Sequence, residues 1–458
     1  MSIEAPIDDE VDVLVCGAGM AGLCAAATAA AHGAHPTVLE KGPRPGGSML
    51  MSGGTIWTAP TMDVMERWVP GGDRRRQRQL IDGLAPGLAW LESLGVMAVA
   101  PIASERQVGV EVVTAELTDR LVTAVEAGGG RLVLETAVDG LETRADGRIA
   151  VATVSAGRRR TIVARSVVLA TGGFGASGAL TSQHFGPGAA ALLVRANPHS
   201  TGDGLRAALR AGARSTDSMA TFYGHTMPAL PANVGAAGWV SVTQYYTQDA
   251  ILVNRRGERF FDESRSMADE TAAFEIVRQP DGLAWIVMDR RVHDEDPLAG
   301  RSPSPVAGPY ARAAAAGAPH ATADTLDALA DALAAMGVDR RGLLETIAGF
   351  NRAMADGRGA GLAVPRRAAP FGLVEPPFRA LAVRPGITFT LGGIDVDPGL
   401  RVLDRDGGVI PAVFAAGADA GGTYDGGYMG GLVLGLVQGR AAGAAAATLA
   451  NGVGGPAS

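Results

Sequence analysis

Lysine is all but missing from this chain of 458 residues: Lys41 stands alone, and arginine supplies the other basic side chains. Those arginines are scattered, and with a formal net charge of −7 they offer no basic face to a polyanion, so nucleic acid is excluded as a partner. The lack of lysine itself reflects GC-rich codons and carries no chemistry. Cysteine is scarce too. Cys16 and Cys24 fall at a predicted strand end and on the helix after it, as small buried apolar residues of a reducing compartment do, and neither a disulfide nor a metal site is indicated. The acidic start, Met1 to Glu10, lacks the basic-then-apolar order of a secretory signal, and no later stretch has the uninterrupted apolar length of a membrane span. A cytoplasmic protein without a membrane partner is expected.

Glycine, by contrast, is abundant. Its 64 residues sit beside apolar segments without a fixed period, which reads as tight turns against a ligand rather than collagen or linker. Val11 to Cys16 is a short apolar strand, Met20 to His32 an alanine-rich helix and Pro36 to Glu40 a second strand, giving a βαβ start. Leu80, Leu84, Leu88 and Leu91 recur at helical spacing between Arg74 and Gly95, and Glu116 to Ala127 is amphipathic. Arg131 to Glu142, Ile149 to Ser155 and Arg160 to Leu169 read as strands. Beyond them tyrosine, proline and longer loops mark an inserted segment. The expected division is residues 1–215, an insertion at 216–377, and a return at 378–458 that closes with a Gly/Ala-rich helix from Gly431.

Gly17, Gly19 and Gly22 follow the first strand and open the first helix. A G-x-G-x-x-G match is weak alone, but this context lets the backbone at Gly19-Met20-Ala21 approach a pyrophosphate while the helix N-terminus offers free N–H groups. Glu40, ending the second strand, supplies a carboxylate for a ribose 2′-hydroxyl and argues against a 2′-phosphate. The pattern fits NAD and FAD alike.

Further segments follow in order: Gly46-Gly47-Ser48, Ser52-Gly53-Gly54, Ala170-Thr171-Gly172-Gly173, Thr201-Gly202-Asp203-Gly204, Ile251 to Phe260, Leu391-Gly392-Gly393 and Val413 to Asp419. Over nearly its whole length the chain resembles the fumarate reductase and succinate dehydrogenase flavoprotein superfamily, which also holds ketosteroid and tricarballylate dehydrogenases. The resemblance implies an α/β fold, with a Rossmann-like FAD-binding domain of the glutathione-reductase type and an inserted α+β capping domain. It places Glu40 and Lys41 on the adenosine ribose, the Val138 backbone on adenine, Ser48 and Ser52 to Gly54 near the flavin ring, and Asp203 and Asp419 at the cofactor's middle. It aims the N–H groups of Gly431, Leu432, Val433 and Leu434 at flavin N1 and O2. Succinate dehydrogenases attach FAD through a histidine after the double glycine, and residues 46–60 contain none, so FAD is expected to bind non-covalently.

The resemblance also shows where the chain departs. The superfamily's proton-delivering arginine or tyrosine falls at Met267, four residues past Glu263 in Arg259-Phe260-Phe261-Asp262-Glu263, and Met267 cannot serve. The arginine that clamps a dicarboxylate in fumarate reductases is replaced by Tyr428, and a histidine before T-M-G-G by Phe389. His225 survives, and Arg265 lies near the vacated acid position, although a turn histidine and a surface arginine are the ordinary readings. Tyr223, Tyr245, Tyr246, Tyr424 and Tyr428 are five of the six tyrosines. Core packing is the ordinary use of any one of them, but the glycines crowding Tyr428 suggest close backbone approach to a ligand.

The expected function is an FAD-dependent dehydrogenase that forms a C=C bond α,β to a carbonyl by hydride transfer to flavin N5. Its substrate is a small hydrophobic ketone, cyclic and steroid-like ketones included, and its electron acceptor is unassigned. Tyr428 is first choice for the carbonyl or proton role, with Tyr246 and Arg265 behind it. A fumarate-reductase-like ene reductase using Arg265 and His225 as acids is the alternative, and a flavin-binding protein without turnover the alternative of another class.

Overall fold

The computed structural model describes residues 10–230, 238–265, 268–295, 307–368 and 371–452. They form two compact units, one of Met1–Leu180, Ala196–Phe222 and Phe389–Ser458, the other of Thr181–Arg195 and Tyr223–Thr388. Sequence reading placed the insertion at 216–377. The second unit starts and ends later than that, and it takes in Thr181–Arg195 because the strand Leu193–Val194 pairs in parallel with Gly386 and Ile387.

In the first unit, parallel strands run in the order Val409–Ala415, Arg158–Leu169, Glu10–Cys16, Pro36–Leu39 and Arg131–Val133. Val13, Leu14, Val15, Val167, Val168 and Leu169 are wholly shielded from solvent, as the near-continuous apolar runs of strands covered on both faces require. The strand expected from Arg131 to Glu142 is broken. Glu135 takes φ 52°, and the chain divides into Arg131–Val133, parallel to Pro36–Leu39, and Thr136–Thr143, antiparallel to Ile149–Ser155.

The helix Met20–Ala31 packs along the C-terminal helix Gly431–Gly452 at unusually short range. A methyl group on Gly439 would lie 2.3 Å from the Ala21 carbonyl oxygen, and one on Gly443 2.1 Å from that of Ala25. Glycines four apart thus form a stripe that admits the partner backbone. This C-terminal helix is long and apolar enough, by length and composition, to cross a membrane, which sequence reading did not expect of any stretch. Its Val433, Leu436, Ala442 and Ala446 are nevertheless fully buried within the unit.

The second unit has a six-stranded sheet centred on Phe378–Thr390 and Ala284–Met288, which pair antiparallel. The period of two sorts its side chains. Trp285 and Val287 meet Leu329, Leu343, Ile347 and Phe350 of the helices Leu326–Ala335 and Arg340–Ala355, while Ala284, Ile286 and Met288 meet Ala272 and Ile276 of Ala268–Val277 on the other face. The two cores explain why this segment folds as a unit. The segment Arg259 to Glu263 is fastened by ions: Glu263, wholly buried, pairs with Arg259 and Arg366 and accepts the Leu252 N–H at 2.8 Å.

Candidate active site

The three glycines of the first turn have different reasons to be glycine. Gly17 has φ 111°, and a methyl group there would meet the Ala170 carbonyl oxygen at 2.2 Å; on Gly22 it would meet the Gly17 carbonyl oxygen at 1.8 Å. Those two residues are fixed by packing. Gly19 has ordinary extended backbone and no protein atom within 4 Å of an added Cβ, so the protein leaves space over it. Gly19 also begins the helix Met20–Ala31, whose N-terminus no side chain caps. Open backbone at the middle glycine, uncapped helix N–H groups and a nearby carboxylate suit the pyrophosphate and ribose of a dinucleotide. Glu40 holds the turn from behind: its Oε2 accepts the Ala18 N–H at 2.9 Å and its Oε1 that of Gly42 at 2.7 Å. A carboxylate has acceptor sites beyond these two.

Lys41, expected at the ribose, and Asp203, expected at the cofactor's middle, are joined to each other at 2.9 Å, and Lys41 also donates to Thr201 Oγ1. Asp419 departs from its expected role. Its carboxylate has no exposed surface and accepts N–H groups from Thr171 and Gly173, the latter at 2.9 Å, so it shapes the loop Ala170-Thr171-Gly172 rather than facing a ligand. Burial pushes its pKa up, against those same hydrogen bonds. Gly46 and Gly47 both have positive φ, and Gly47 packs within reach of the Gly19 Cα. Ser48 Oγ accepts the Asn197 N–H; Ser52 Oγ accepts that of Gly54, and Gly53 has open space at its Cβ position. Val138 is buried at a bulge opposite Thr153.

At the start of the C-terminal helix, Gly431 N–H donates to the Tyr428 hydroxyl oxygen at 2.8 Å. Val433 and Leu434 are buried behind it, while Gly431 and Leu432 are half-buried. The Tyr428 ring meets Trp57, Phe389 and Tyr424 edge-on, with centroids 5.6, 5.9 and 6.1 Å away. Tyr424 itself is structural: its buried hydroxyl donates to the carbonyls of Met429 and Gly430, and burial holds its pKa well above the ordinary phenol value. The surrounding glycines also have a different cause from the one expected. A methyl group on Gly427 would lie 2.5 Å from the Trp68 carbonyl oxygen and one on Gly430 1.9 Å from that of Trp57, so the close approach is to the protein's own backbone.

The other expected catalytic residues belong to the second unit. Tyr246 is wholly buried among Leu252, Phe261 and Ile286, donates to Gln244 Oε1, and has its pKa raised by burial, so it is a core residue and not one offered to substrate. Arg265 is exposed on a turn, its N–H bonded to the Asp262 carbonyl. Met267 lies outside the described residues. His225 is buried between two partners: Nδ1 lies 2.7 Å from Asp269 Oδ2 and Nε2 2.9 Å from the Tyr223 hydroxyl. Tyr245 meets the same ring edge-on at 5.4 Å. Burial, and then the Arg195 charge, lower the pKa of His225 against the pull of Asp269. Asp269 and Arg195 were missed in the sequence. The first looked like one of several acids opening a helix, and the second lies thirty residues from the histidine it influences.

Known proteins resemble this chain over most of its length. The chain is 28% identical over 92% of its length to a probable fumarate reductase of Shewanella frigidimarina, covering 72% of that protein. It is also 28% identical to a urocanate reductase of Eggerthella lenta, over 90% of this chain and 70% of that one. The solved 3-ketosteroid-Δ4-(5α)-dehydrogenase of Rhodococcus jostii RHA1 shares the fold, with a TM-score of 0.72, 23% identity, and 97% of this chain matched to 98% of that one. Residues 12–431 match the FAD binding domain family, so the chain belongs to that family and is an FAD-dependent oxidoreductase.

Proposed function

We propose that this oxidoreductase introduces a C=C bond α,β to the carbonyl of a hydrophobic ketone, cyclic and steroid-like ketones included, with FAD held non-covalently in a Rossmann-like domain of the glutathione-reductase type. The observation that carries the reading is the hydrogen bond from Gly431 N–H to the Tyr428 hydroxyl at the start of an apolar helix. An N–H donated into a phenol oxygen strengthens that phenol as a donor, and the helix dipole adds in the same sense. Tyr428 thereby polarises a carbonyl and acidifies its α C–H, and the enolate character that develops is stabilised where it forms. Trp57, Phe389 and Tyr424 around the ring suit an apolar substrate better than a dicarboxylate. Bound FAD supplies the hydride acceptor.

A second reading is an ene reductase working on an unsaturated acid, as the names of the fumarate and urocanate reductases suggest. Arg195, whose charge reaches His225 and Tyr245, favours it, because a guanidinium is suited to a carboxylate. Anaerobic mixing separates the two. Saturated cyclic ketones, from cyclohexanone to a 3-ketosteroid, should bleach the oxidised flavin; if instead only fumarate, urocanate or another unsaturated acid reoxidises the chemically reduced enzyme, the desaturase reading is wrong.

A further inference from the structure

Trp57 and Trp68 flank the loop that carries Tyr428. The Trp57 carbonyl oxygen closes on Gly430 and that of Trp68 on Gly427, where methyl groups would meet them at 1.9 and 2.5 Å. Their indoles share one further neighbour, the Arg106 guanidinium, whose central carbon lies 5.7 Å from the Trp57 ring centre and 4.7 Å from that of Trp68. All four side chains, Tyr428 included, belong to the first unit. Arg106 is delivered by a tight turn. Strands Ala98–Ala103 and Val108–Val112 pair antiparallel, and between them the Ser104 N–H donates to the Gln107 carbonyl at 2.8 Å while Ser104 Oγ accepts the N–H groups of Arg106 and Gln107. The turn fixes the backbone of Arg106, and two indoles fix its head.

What Arg106 lacks is an anion. Glu105 precedes it and Glu111 lies on the same hairpin, yet among the described residues no carboxylate forms an ion pair with it. Its Nε, shielded from solvent, donates to no acceptor. The buried guanidiniums of Arg259 and Arg366, by contrast, share Glu263. A guanidinium has five N–H donors and no acceptor. Holding one over aromatic faces displaces water from those faces and leaves the N–H groups at its edge to bond in its own plane, the arrangement that takes a carboxylate through two parallel bonds. The side chain is half-buried, so that edge is not sealed in the core. Trp57 meets Tyr428 at 5.6 Å as well as Arg106, and one indole thus separates the guanidinium from the phenol.

We propose that Arg106 is a specificity-determining residue that binds a carboxylate on the substrate, so that the ketone desaturated here is a keto acid whose apolar body lies along Trp57. The inference rests on the desaturation reading above for the ketone; the carboxylate is argued from Arg106 alone. One guanidinium balances one negative charge, which suits a single carboxylate. A neutral ketone leaves the N–H groups of the guanidinium without an acceptor in the occupied site and is the poorer ligand for that reason. No bond of the substrate is made or broken at Arg106.

The test compares one ligand with and without its charge. Cyclohexanones bearing one ring carboxylate are matched against their methyl esters, and the half-saturating concentration for anaerobic flavin reduction is read for each. In the wild type the acid should half-saturate about 10- to 100-fold below its ester, the effect of one charged hydrogen-bonded pair. Arg106→Gln should bring the acid level with the ester, and Arg106→Lys, which keeps the charge without the planar fork, should restore part of the difference. Because the ratio is taken within each protein, a general loss of stability does not move it. Calorimetric titration of the holoenzyme with cyclohexanecarboxylate, which has no ketone to oxidise, checks the anion site separately: Arg106→Gln should bind it about tenfold or more weakly than wild type. Binding of that acid through Arg106 with no bleaching by any ketone overturns the desaturation reading and leaves the carboxylate site standing. Equal half-saturation by acid and ester in the wild type, a preference kept in full by Arg106→Gln, or no binding of cyclohexanecarboxylate to the wild type overturns the assignment of Arg106 even where ketones bleach the flavin.

Discussion

Tyr428 and Gly431 are tied by a hydrogen bond in which the first amide of the C-terminal helix donates to the phenol oxygen at 2.8 Å. The contact links a side chain to a helix end whose N–H groups otherwise have no intrahelical acceptor. It also requires a backbone that approaches closely on both sides, which Gly427 and Gly430 provide against the carbonyls of Trp68 and Trp57. The Tyr428 hydroxyl is thus tied to the end of the C-terminal helix.

The turn glycines make separable predictions. Gly19→Ala should leave the thermal midpoint of the flavin-free protein within about 1 °C of wild type, since no protein atom opposes the new methyl group. It should weaken FAD binding by an order of magnitude or more, read by fluorescence titration, because the methyl enters the space of the pyrophosphate. Gly22→Ala should lower stability and binding together, as its Cβ falls 1.8 Å from the Gly17 carbonyl oxygen.

Residues 46–60 carry no histidine for a flavin linkage. Acid precipitation of the holoenzyme should release all of its FAD into the supernatant, measured by absorbance. Flavin remaining with the pellet after washing would show a covalent bond elsewhere.

Tyr246 should behave as a core residue. Tyr246→Phe removes the partner of the buried Gln244 amide oxygen and should cost about 1–3 kcal/mol in denaturant unfolding. Flavin reduction by substrate should be unaffected once the protein is folded.

His225 sets an acid-side dependence. Its folded pKa is lowered, chiefly by burial, so below the unfolded value of about 6.5 the unfolded chain takes up the proton first. This contribution to stability is complete above that pH and is lost as the pH falls from about 6.5 toward the folded pKa. The thermal midpoint of wild type should therefore fall more steeply than that of His225→Gln over this interval.

The glycine turn and the FAD family were legible in the sequence because the signal is local. Gly17, Gly19 and Gly22 lie on one turn, and Glu40 follows one strand later. Groups assembled from distant segments were not. Asp269 is forty-four residues from the imidazole it holds, and the Asp419 carboxylate looked like a ligand-facing acid until the Thr171 and Gly173 N–H groups were seen to occupy it. The short strand Leu193–Val194 has too little pattern to announce that Thr181–Arg195 belongs to the second unit. Glycine in the sequence marks close approach without saying to what; around Tyr428 it is the backbone of Trp57 and Trp68.

The central claim is that Tyr428 activates a ketone for desaturation. It is tested most directly by anaerobic single-turnover reduction of the flavin at saturating saturated cyclic ketone, wild type against Tyr428→Phe. The account predicts that the variant, with its flavin spectrum intact, reduces about 100- to 1,000-fold more slowly, the usual loss when one donor to a developing oxyanion is removed. Equal rates in the two proteins would contradict it.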